Sequence, residues 1–142
     1  MRVFFKFLSL FLVLTSCTSQ RENSKDKYNY DDVLDKQISY LDVFNVESSR
    51  YYLYYYQLNC YYCHGIKSKV IKFSLDSKIP FYFVEIKEDY GFLSHSKEET
   101  IGTNDPMRAF SMMTPQLSLV EDGTISETYL GEEEIMNIIE YS

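Results

Sequence analysis

The stretch that decides the fold covers residues 51–86 and reads YYLYYYQLNCYYCHGIKSKVIKFSLDSKIPFYFVEI. Its first six residues are aromatic or apolar on both alternating faces, which predicts a central strand covered on both sides. From residue 60 to about residue 77, apolar residues recur among lysines at helical spacing, and Pro80 ends that helix. Residues 81–86 predict a second strand. Strand, helix and strand form a βαβ unit, so the two strands are expected to pair in parallel.

The flanking segments complete an α/β pattern. Residues 31–44 predict an amphipathic helix capped by Asp31 or Asp32. Residues 87–113 are broken by glycines and by Asn104-Asp105-Pro106, and they predict only a short helix over residues 106–110. Residues 117–130 predict an antiparallel hairpin, because Asp122-Gly123 suits a tight turn. The acidic residues that follow Gly131 favour the start of a final helix.

Three features of this order resemble the thioredoxin family. They are Cys60-Tyr61-Tyr62-Cys63 between a strand and a helix, Thr114-Pro115 just before a strand, and the hairpin LSLVEDGTISETYLG over residues 117–131. The resemblance implies a three-layer thioredoxin-like fold, with a mixed sheet of about four strands flanked by helices. The tyrosine-rich strand and the N-terminal leader over residues 1–16, described below, are also similar to those of bacteriocin transport accessory proteins, a small thioredoxin-like group.

The cysteine pair predicts thiol chemistry. A thiolate at a helix N-terminus is stabilised by free backbone N–H groups and by the helix dipole, which lowers a cysteine pKa from about 8.5 to roughly 3.5–7.5. Cys60 is therefore predicted to attack, and Cys63, within one helical turn, to resolve the mixed disulfide. The only cofactor expected is this redox-active disulfide, and no metal is expected.

The resemblance also implies a substrate surface beside the cysteines. Pro115 fits the family's cis-proline, and the backbone of Thr114 would pair with an extended substrate segment. Tyr61 and Tyr62 are predicted to contribute to the same surface. The alternative for Pro115 is a proline that merely starts an edge strand.

Three departures from the family leave the activity open. Thioredoxins usually have Trp before the first cysteine and Gly-Pro between the two, whereas this chain has Asn59 and Tyr61-Tyr62. Where thioredoxins often bury an aspartate, six residues before the first cysteine, this chain has Tyr54. These differences argue against a reductase of the cytosolic kind.

The N-terminus predicts export. Arg2 and Lys6 precede a short apolar run over residues 7–14, as in a secretory signal peptide. The junction Leu14-Thr15-Ser16-Cys17 resembles the lipobox of bacterial lipoproteins, which implies that Cys17 is lipidated; an ordinary leader followed by a stray cysteine is the alternative. The predicted parts are a signal peptide over residues 1–16, a flexible tether over 17–29 and one thioredoxin-like domain over 30–142.

Composition limits the partners. Removing Arg2 and Lys6 with the leader takes the formal net charge from −7 to −9, which argues against nucleic acid. The sequence thus predicts a lipid-anchored thiol–disulfide oxidoreductase on the extracytoplasmic face of the membrane. Its expected partners are thiols and disulfides of exported proteins and a redox partner that the sequence does not identify.

Three alternatives stay open. The domain could be an accessory or binding module in which the cysteine pair turns over slowly or not at all. The run from Cys60 to His64 also fits the c-type haem attachment pattern, with His64 as one axial ligand and a methionine as the second, for which the candidates are Met107, Met112, Met113 and Met136. Finally, Cys60, Cys63 and His64 could hold Cu(I), which thiolates and imidazole suit.

Overall fold

The computed structural model describes residues 27–87 and 96–141. The predicted signal peptide, Cys17 and most of the predicted tether lie outside the described residues. Four strands and three α-helices form the domain: β1 (Arg50–Tyr56), α1 (Tyr61–Asp76), β2 (Phe81–Glu85), α2 (Lys97–Thr100), β3 (Gln116–Glu121), β4 (Thr124–Leu130) and α3 (Gly131–Tyr141). No helix within these residues is both long enough and apolar enough to cross a membrane.

The strands form one mixed sheet in the order β2-β1-β3-β4. β1 pairs with β2 in parallel, as the βαβ pattern predicted, and with β3 antiparallel. β3 and β4 form the predicted antiparallel hairpin, in which Asp122 and Gly123 have positive φ angles of 49° and 79°. Those left-handed conformations are the ones that a tight hairpin turn requires.

β1 occupies the centre of the sheet and is buried on both faces. Successive side chains of a strand point to opposite faces, so one set packs towards α1 and α3 and the other towards the loops on the far side. The first set is Tyr52, Tyr54 and Tyr56, and the second is Tyr51, Leu53 and Tyr55. This two-sided burial explains the continuous aromatic run.

Two hydrophobic cores lie on the two faces of the sheet. On one face, Ile66 and Val70 of α1 and Ile135 of α3 pack against the strands. On the other face, the sheet is covered by Val43 and Phe110, each of which follows a short 3₁₀ helix. These layers confirm the predicted three-layer thioredoxin-like fold.

The single amphipathic helix predicted over residues 31–44 is wrong. The structure has two 3₁₀ helices instead, Tyr30–Lys36 and Tyr40–Asp42. Between them, Gln37 is extended and forms a parallel bridge with Phe83, and the Ile38 N–H donates to the Phe83 carbonyl at 3.0 Å. Pairing with the edge strand β2 takes backbone groups that a continuous helix would have used, so tertiary contact overrides the helical pattern.

The cap of this segment also differs from the prediction. Asn29 is the N-cap, and its backbone N–H donates to the Asp32 carboxylate at 2.7 Å in a capping box. The N–H of Tyr28 donates to Ser68 Oγ of α1 at 3.1 Å. The described residues at the end of the predicted tether therefore contact the folded domain.

Of the segment 87–113, the structure describes residue 87 and residues 96–113, and α2 is the α-helix within them. α2 begins after Ser96, whose side chain and that of Glu99 form a reciprocal capping box. The Ser-x-x-Glu spacing is the sequence signature of such a box and marks the start of α2. The short helix predicted over residues 106–110 is present as a 3₁₀ helix at Pro106–Arg108.

Candidate active site

The cysteine pair lies at the N-terminus of α1, just after the loop that follows β1. Cys60 is the N-cap of α1, and Cys60 Sγ accepts a hydrogen bond from the backbone N–H of Cys63 at 3.1 Å. The two cysteines form a disulfide, with their Cα atoms 5.2 Å apart. A free N–H of the first helical turn thus points at the first sulfur, which is the arrangement that stabilises a thiolate there.

The two cysteines differ in exposure. Cys63 is 1% exposed and belongs to the core beneath α1, whereas Cys60 is only partly buried and packs against the edge of that core. A molecule approaching from solvent therefore reaches Cys60 first.

Thr114 lies directly beside Cys60. The Thr114 carbonyl oxygen is 3.5 Å from Cys60 Sγ, and the Thr114 hydroxyl donates to Gln57 Oε1 at 3.1 Å. The Thr114–Pro115 peptide bond is cis. The structure thus brings the pair Cys60 and Cys63 together with Thr114 and Pro115, which follow more than fifty residues later in the chain.

Gln116 holds the loop that carries Thr114. Its side chain is fully buried: Oε1 accepts from the N–H and the hydroxyl of Ser111, and Nε2 donates to the Ala109 carbonyl and to Ser118 Oγ. These four hydrogen bonds are 2.8–2.9 Å long. The same loop contains Met112 with φ of 62°, a conformation that is costly for a residue other than glycine. The Gln116 bonds oppose its relaxation.

Sequence reasoning missed Gln116 and Gln57. Gln116 follows Pro115 directly and is the amide that begins the strand QLSLVE, whose next four residues are apolar or hydroxylated, which is a signal for a buried polar contact. Nothing in the spacing of Gln57 marked it as a partner of Thr114.

Exposed aromatic and thioether side chains surround the disulfide. Tyr61 is 83% exposed and Tyr62 58%, and their rings meet edge to face at a centroid distance of 5.5 Å. Met112 and Met113, on the loop that carries Thr114, are about half exposed. Both predicted tyrosines therefore lie at the surface next to the cysteines.

A cavity of about 530 Å³ opens beside Thr114. Tyr62, Met113 and Leu130 supply apolar walls, and Glu132 and Glu133 at the start of α3 supply charge. α3 approaches α1 closely here, and the Glu132 carboxylate lies against Gly65, which has no side chain. The sequence pattern of these glutamates indicates only a favourable helix N-terminus, so their place in the cavity wall follows from the tertiary structure.

Tyr54 fills the position where thioredoxins often have a buried aspartate. It is fully buried in the core that contains Cys63. Burial raises the pKa of Tyr54 well above its ordinary value of 10.0. The phenol therefore stays neutral at physiological pH and does not act as a carboxylate-like proton acceptor.

His64 turns towards the loop that precedes α1. Its ring Nε2 is 2.7 Å from the Leu58 carbonyl oxygen, and its backbone N–H donates to the Cys60 carbonyl at 3.1 Å. Within residues 27–87 and 96–141, no three His, Cys, Asp or Glu side chains form a group that could hold a metal ion. The haem and Cu(I) alternatives remain predictions.

Comparison with known proteins supports the fold. No family model and no curated protein matches this chain. Thioredoxin f2 from Chlamydomonas reinhardtii aligns over 72% of this chain and 91% of its own, with 15% identity and a TM-score of 0.52. Mitochondrial thioredoxin 3 from Saccharomyces cerevisiae has 14% identity, covers 74% and 92% of the two chains, and has a TM-score of 0.48. Thioredoxin O2 from Arabidopsis thaliana has 12% identity with the same coverage and a TM-score of 0.46.

The likeness to thioredoxin f2, at this identity, shows the fold alone. Fold and site together define a thioredoxin-like domain with a disulfide in Cys-X-X-Cys spacing at the N-terminus of α1.

Proposed function

We propose that this protein is a thiol–disulfide oxidoreductase that uses Cys60 as nucleophile and Cys63 as resolving thiol. The observation that carries the proposal is the disulfide at the N-terminus of α1, with the more accessible sulfur beside the Thr114 carbonyl. A structural disulfide in an exported domain would more often join distant segments, whereas this one links residues only three apart.

The proposed reaction consists of two successive thiol–disulfide exchanges. When the pair is reduced, the Cys60 thiolate attacks one sulfur of a client disulfide, forms a Cys60–client disulfide and releases a client thiolate. The Cys63 thiolate then attacks Cys60 Sγ, which forms the intramolecular disulfide and releases the second client thiolate. Two electrons pass to the client. The reverse sequence oxidises a client dithiol and leaves the protein reduced.

Geometry supports these roles. The Cys63 N–H that lies 3.1 Å from Cys60 Sγ stabilises negative charge on that sulfur, and the partial burial of Cys60 leaves it open to attack. Cys63, at 1% exposure, is shielded from competing clients while it resolves. The backbone of Thr114 and the exposed rings of Tyr61 and Tyr62 are proposed to receive the client segment.

We further propose that the domain works outside the cytoplasm, held to the membrane by lipid on Cys17. The support is sequence alone: the charged and apolar leader and the junction Leu14-Thr15-Ser16-Cys17. Metabolic labelling with a fatty acid should mark the wild-type protein, and Cys17→Ser should abolish the label. Labelling that persists in the variant contradicts the anchor.

Trapping of the mixed disulfide tests the proposed activity. Cys63→Ser keeps the nucleophile but removes the resolving thiol, so the variant should accumulate as client adducts that migrate above the monomer on non-reducing gels and collapse on reduction. Cys60→Ser should form none. Both variants retain Cys17, which controls for adducts made by that thiol. Equal adducts in both variants, or none in either, would contradict the proposal.

The reduction potential then gives the direction of electron flow. A value near about −270 mV is typical of a reductant and one near about −120 mV of an oxidant. Equilibration of the protein with glutathione buffers of graded composition measures it.

The exposed aromatic and thioether surface favours a second candidate, an accessory module that binds a polypeptide partner without turnover. Tyr61, Tyr62 and Met113 offer apolar contact area that does not depend on the redox state of the cysteines. Cys60→Ser discriminates the two candidates in the cell. A phenotype like the wild type favours the binding module, and loss of the phenotype favours catalysis.

A further inference from the structure

The cavity beside the disulfide carries net negative charge. Glu132 and Glu133, both exposed, are the two charged residues of its lining. Their neighbour Glu134 is neutralised, because its carboxylate accepts from Lys97 Nζ at 2.6 Å and from the Leu130 N–H at 2.9 Å. Among the ion pairs found within residues 27–87 and 96–141, none includes Glu132 or Glu133. The cavity therefore offers two carboxylates to an incoming cation.

The apolar walls suit the rest of a long basic side chain. Lysine and arginine pack their methylene stems along apolar surface while the charged head reaches polar groups, and Met113 and Leu130 provide such a surface. The ring of Tyr62, which is more than half exposed, adds a π-face that attracts a cation.

Thr114 connects the cavity to the reacting sulfur. Thr114 lines the cavity, and its carbonyl oxygen lies 3.5 Å from Cys60 Sγ. A client segment that runs along Thr114 in extended form advances about 3.3 Å per residue. Because Thr114 belongs to both the cavity wall and the surroundings of Cys60 Sγ, client side chains within a few residues of the reacting cysteine reach the cavity.

We propose that this cavity selects client polypeptides that carry a lysine or arginine within about three residues of the reacting cysteine. The inference rests on the proposed oxidoreductase function and names its substrate class. Glu132 and Glu133 are the residues that set the selectivity, and Tyr62 supports them.

Exchange with matched peptides tests the selectivity. Three peptides share one sequence and one cysteine, carried as a mixed disulfide with a small neutral thiol, and have lysine, glutamine or glutamate at the positions two and three residues on either side. The reduced full-length protein should react with the lysine peptide at least about tenfold faster, in kcat/KM, than with the glutamate peptide. The ratio should shrink as salt is added, because screening weakens attraction between exposed charges.

The variant Glu132→Gln/Glu133→Gln should reduce the lysine-to-glutamate ratio to about twofold or less. The control Glu47→Gln/Glu140→Gln removes the same charge at sites away from the cavity and should keep the wild-type ratio. Stability is not the readout, since acidic residues in the first turn also stabilise a helix N-terminus. A wild-type ratio near one, or an unchanged ratio in the cavity variant, overturns the proposal.

The glutamine peptide separates this inference from the function on which it rests. If the glutamine peptide reacts but the charged peptides do not differ, the selectivity is wrong and the oxidoreductase function stands. If no peptide reacts, the oxidoreductase function fails. Calorimetric titration of the thiol forms of the peptides into the oxidised protein then still compares binding of the lysine and glutamate peptides, and equal binding overturns the cationic site.

Discussion

Gln116 shows how one buried side chain can hold an active-site loop. All four hydrogen-bonding positions of its amide are used, three of them by atoms of Ala109 and Ser111 on the chain leading to Thr114. A buried amide whose hydrogen bonds are all formed contributes rigidity. If the amide is removed, a buried group that was bonded to it is left without a partner, at a cost of about 1–3 kcal/mol. The network fixes Ala109 and Ser111, which precede Thr114 in the chain, and we expect the position of the Thr114 carbonyl beside Cys60 to depend on it.

Replacing Gln116→Leu should therefore lower both stability and exchange. We expect a loss of about 2–4 kcal/mol in the free energy of unfolding, and a fall in the exchange rate constant beyond what the unfolded fraction explains. Denaturant titration and peptide exchange measure the two effects. Ser118→Ala is the control, because it removes one Gln116 bond but none to the loop, and it should cost stability while exchange is kept. Normal exchange in a folded Gln116→Leu protein would contradict the positioning role.

Removing the hydroxyl from two tyrosines on the same face of β1 should affect stability in different ways. The Tyr51 hydroxyl donates to the Val43 carbonyl at 2.7 Å, whereas the buried Tyr55 hydroxyl has no hydrogen-bond partner within the described residues. Tyr51→Phe leaves a buried carbonyl unpaired and should destabilise the protein by about 1–2 kcal/mol. Tyr55→Phe removes an unsatisfied hydroxyl and should be neutral or stabilising. Urea unfolding of both variants checks this, and equal losses would contradict it.

At the scale of elements, α1 carries a glycine in its interior that α3 approaches. A Cβ at Gly65 would lie 3.5 Å from a Glu132 carboxylate oxygen, an ordinary contact distance. Gly65→Ala should therefore stabilise the protein by about 0.5–1 kcal/mol through helix propensity.

The matched control for Gly65 is Gly131, at the start of α3. Its φ of 77° suits glycine, and an added Cβ would meet no atom within 4 Å, so Gly131→Ala tests backbone strain alone. We expect this variant to lose about 1 kcal/mol. Thermal unfolding of the two variants should move in opposite directions, and a destabilised Gly65→Ala protein would show that α3 cannot accommodate the methyl group.

At the scale of the whole molecule, the tyrosine-rich cores make stability depend on alkaline pH. Burial raises the pKa of Tyr51 and of Tyr56 to about 12, and it also raises the pKa values of Tyr30, Tyr54 and Tyr55. The unfolded chain releases these protons near pH 10, whereas the folded chain keeps them to higher pH. Their contribution to stability is therefore complete below pH 10, and the part that comes from Tyr51 and Tyr56 is lost as pH rises through about 12.

We expect the free energy of unfolding to fall above pH 10 by about 1.4 kcal/mol per pH unit for each buried tyrosine. Tyrosinate absorbance and circular dichroism should then change together in one cooperative step. Independent titration of these phenols near pH 10, with the helical signal retained, would contradict the prediction.

Much of this architecture was predictable because it is written in local patterns. The aromatic run of β1, the helical spacing after Cys60 and the Asp122-Gly123 turn each specify one element from neighbouring residues. The segment 31–44 failed for the opposite reason. Its apolar spacing is compatible with a helix, but its outcome depends on Gln37 pairing with Phe83, about 45 residues later in the chain.

By itself, the sequence determined the βαβ unit, the hairpin and the position of the cysteine pair at a helix N-terminus, because periodicity and turn chemistry act over a few residues. Only the tertiary structure decided which side chains surround that pair. The Thr114 carbonyl reaches Cys60, Gln116 bonds to the loop that carries Thr114, and Glu132 lies against Gly65 of α1. Contacts between segments so far apart in the chain follow from sheet order and helix packing, which no local pattern records.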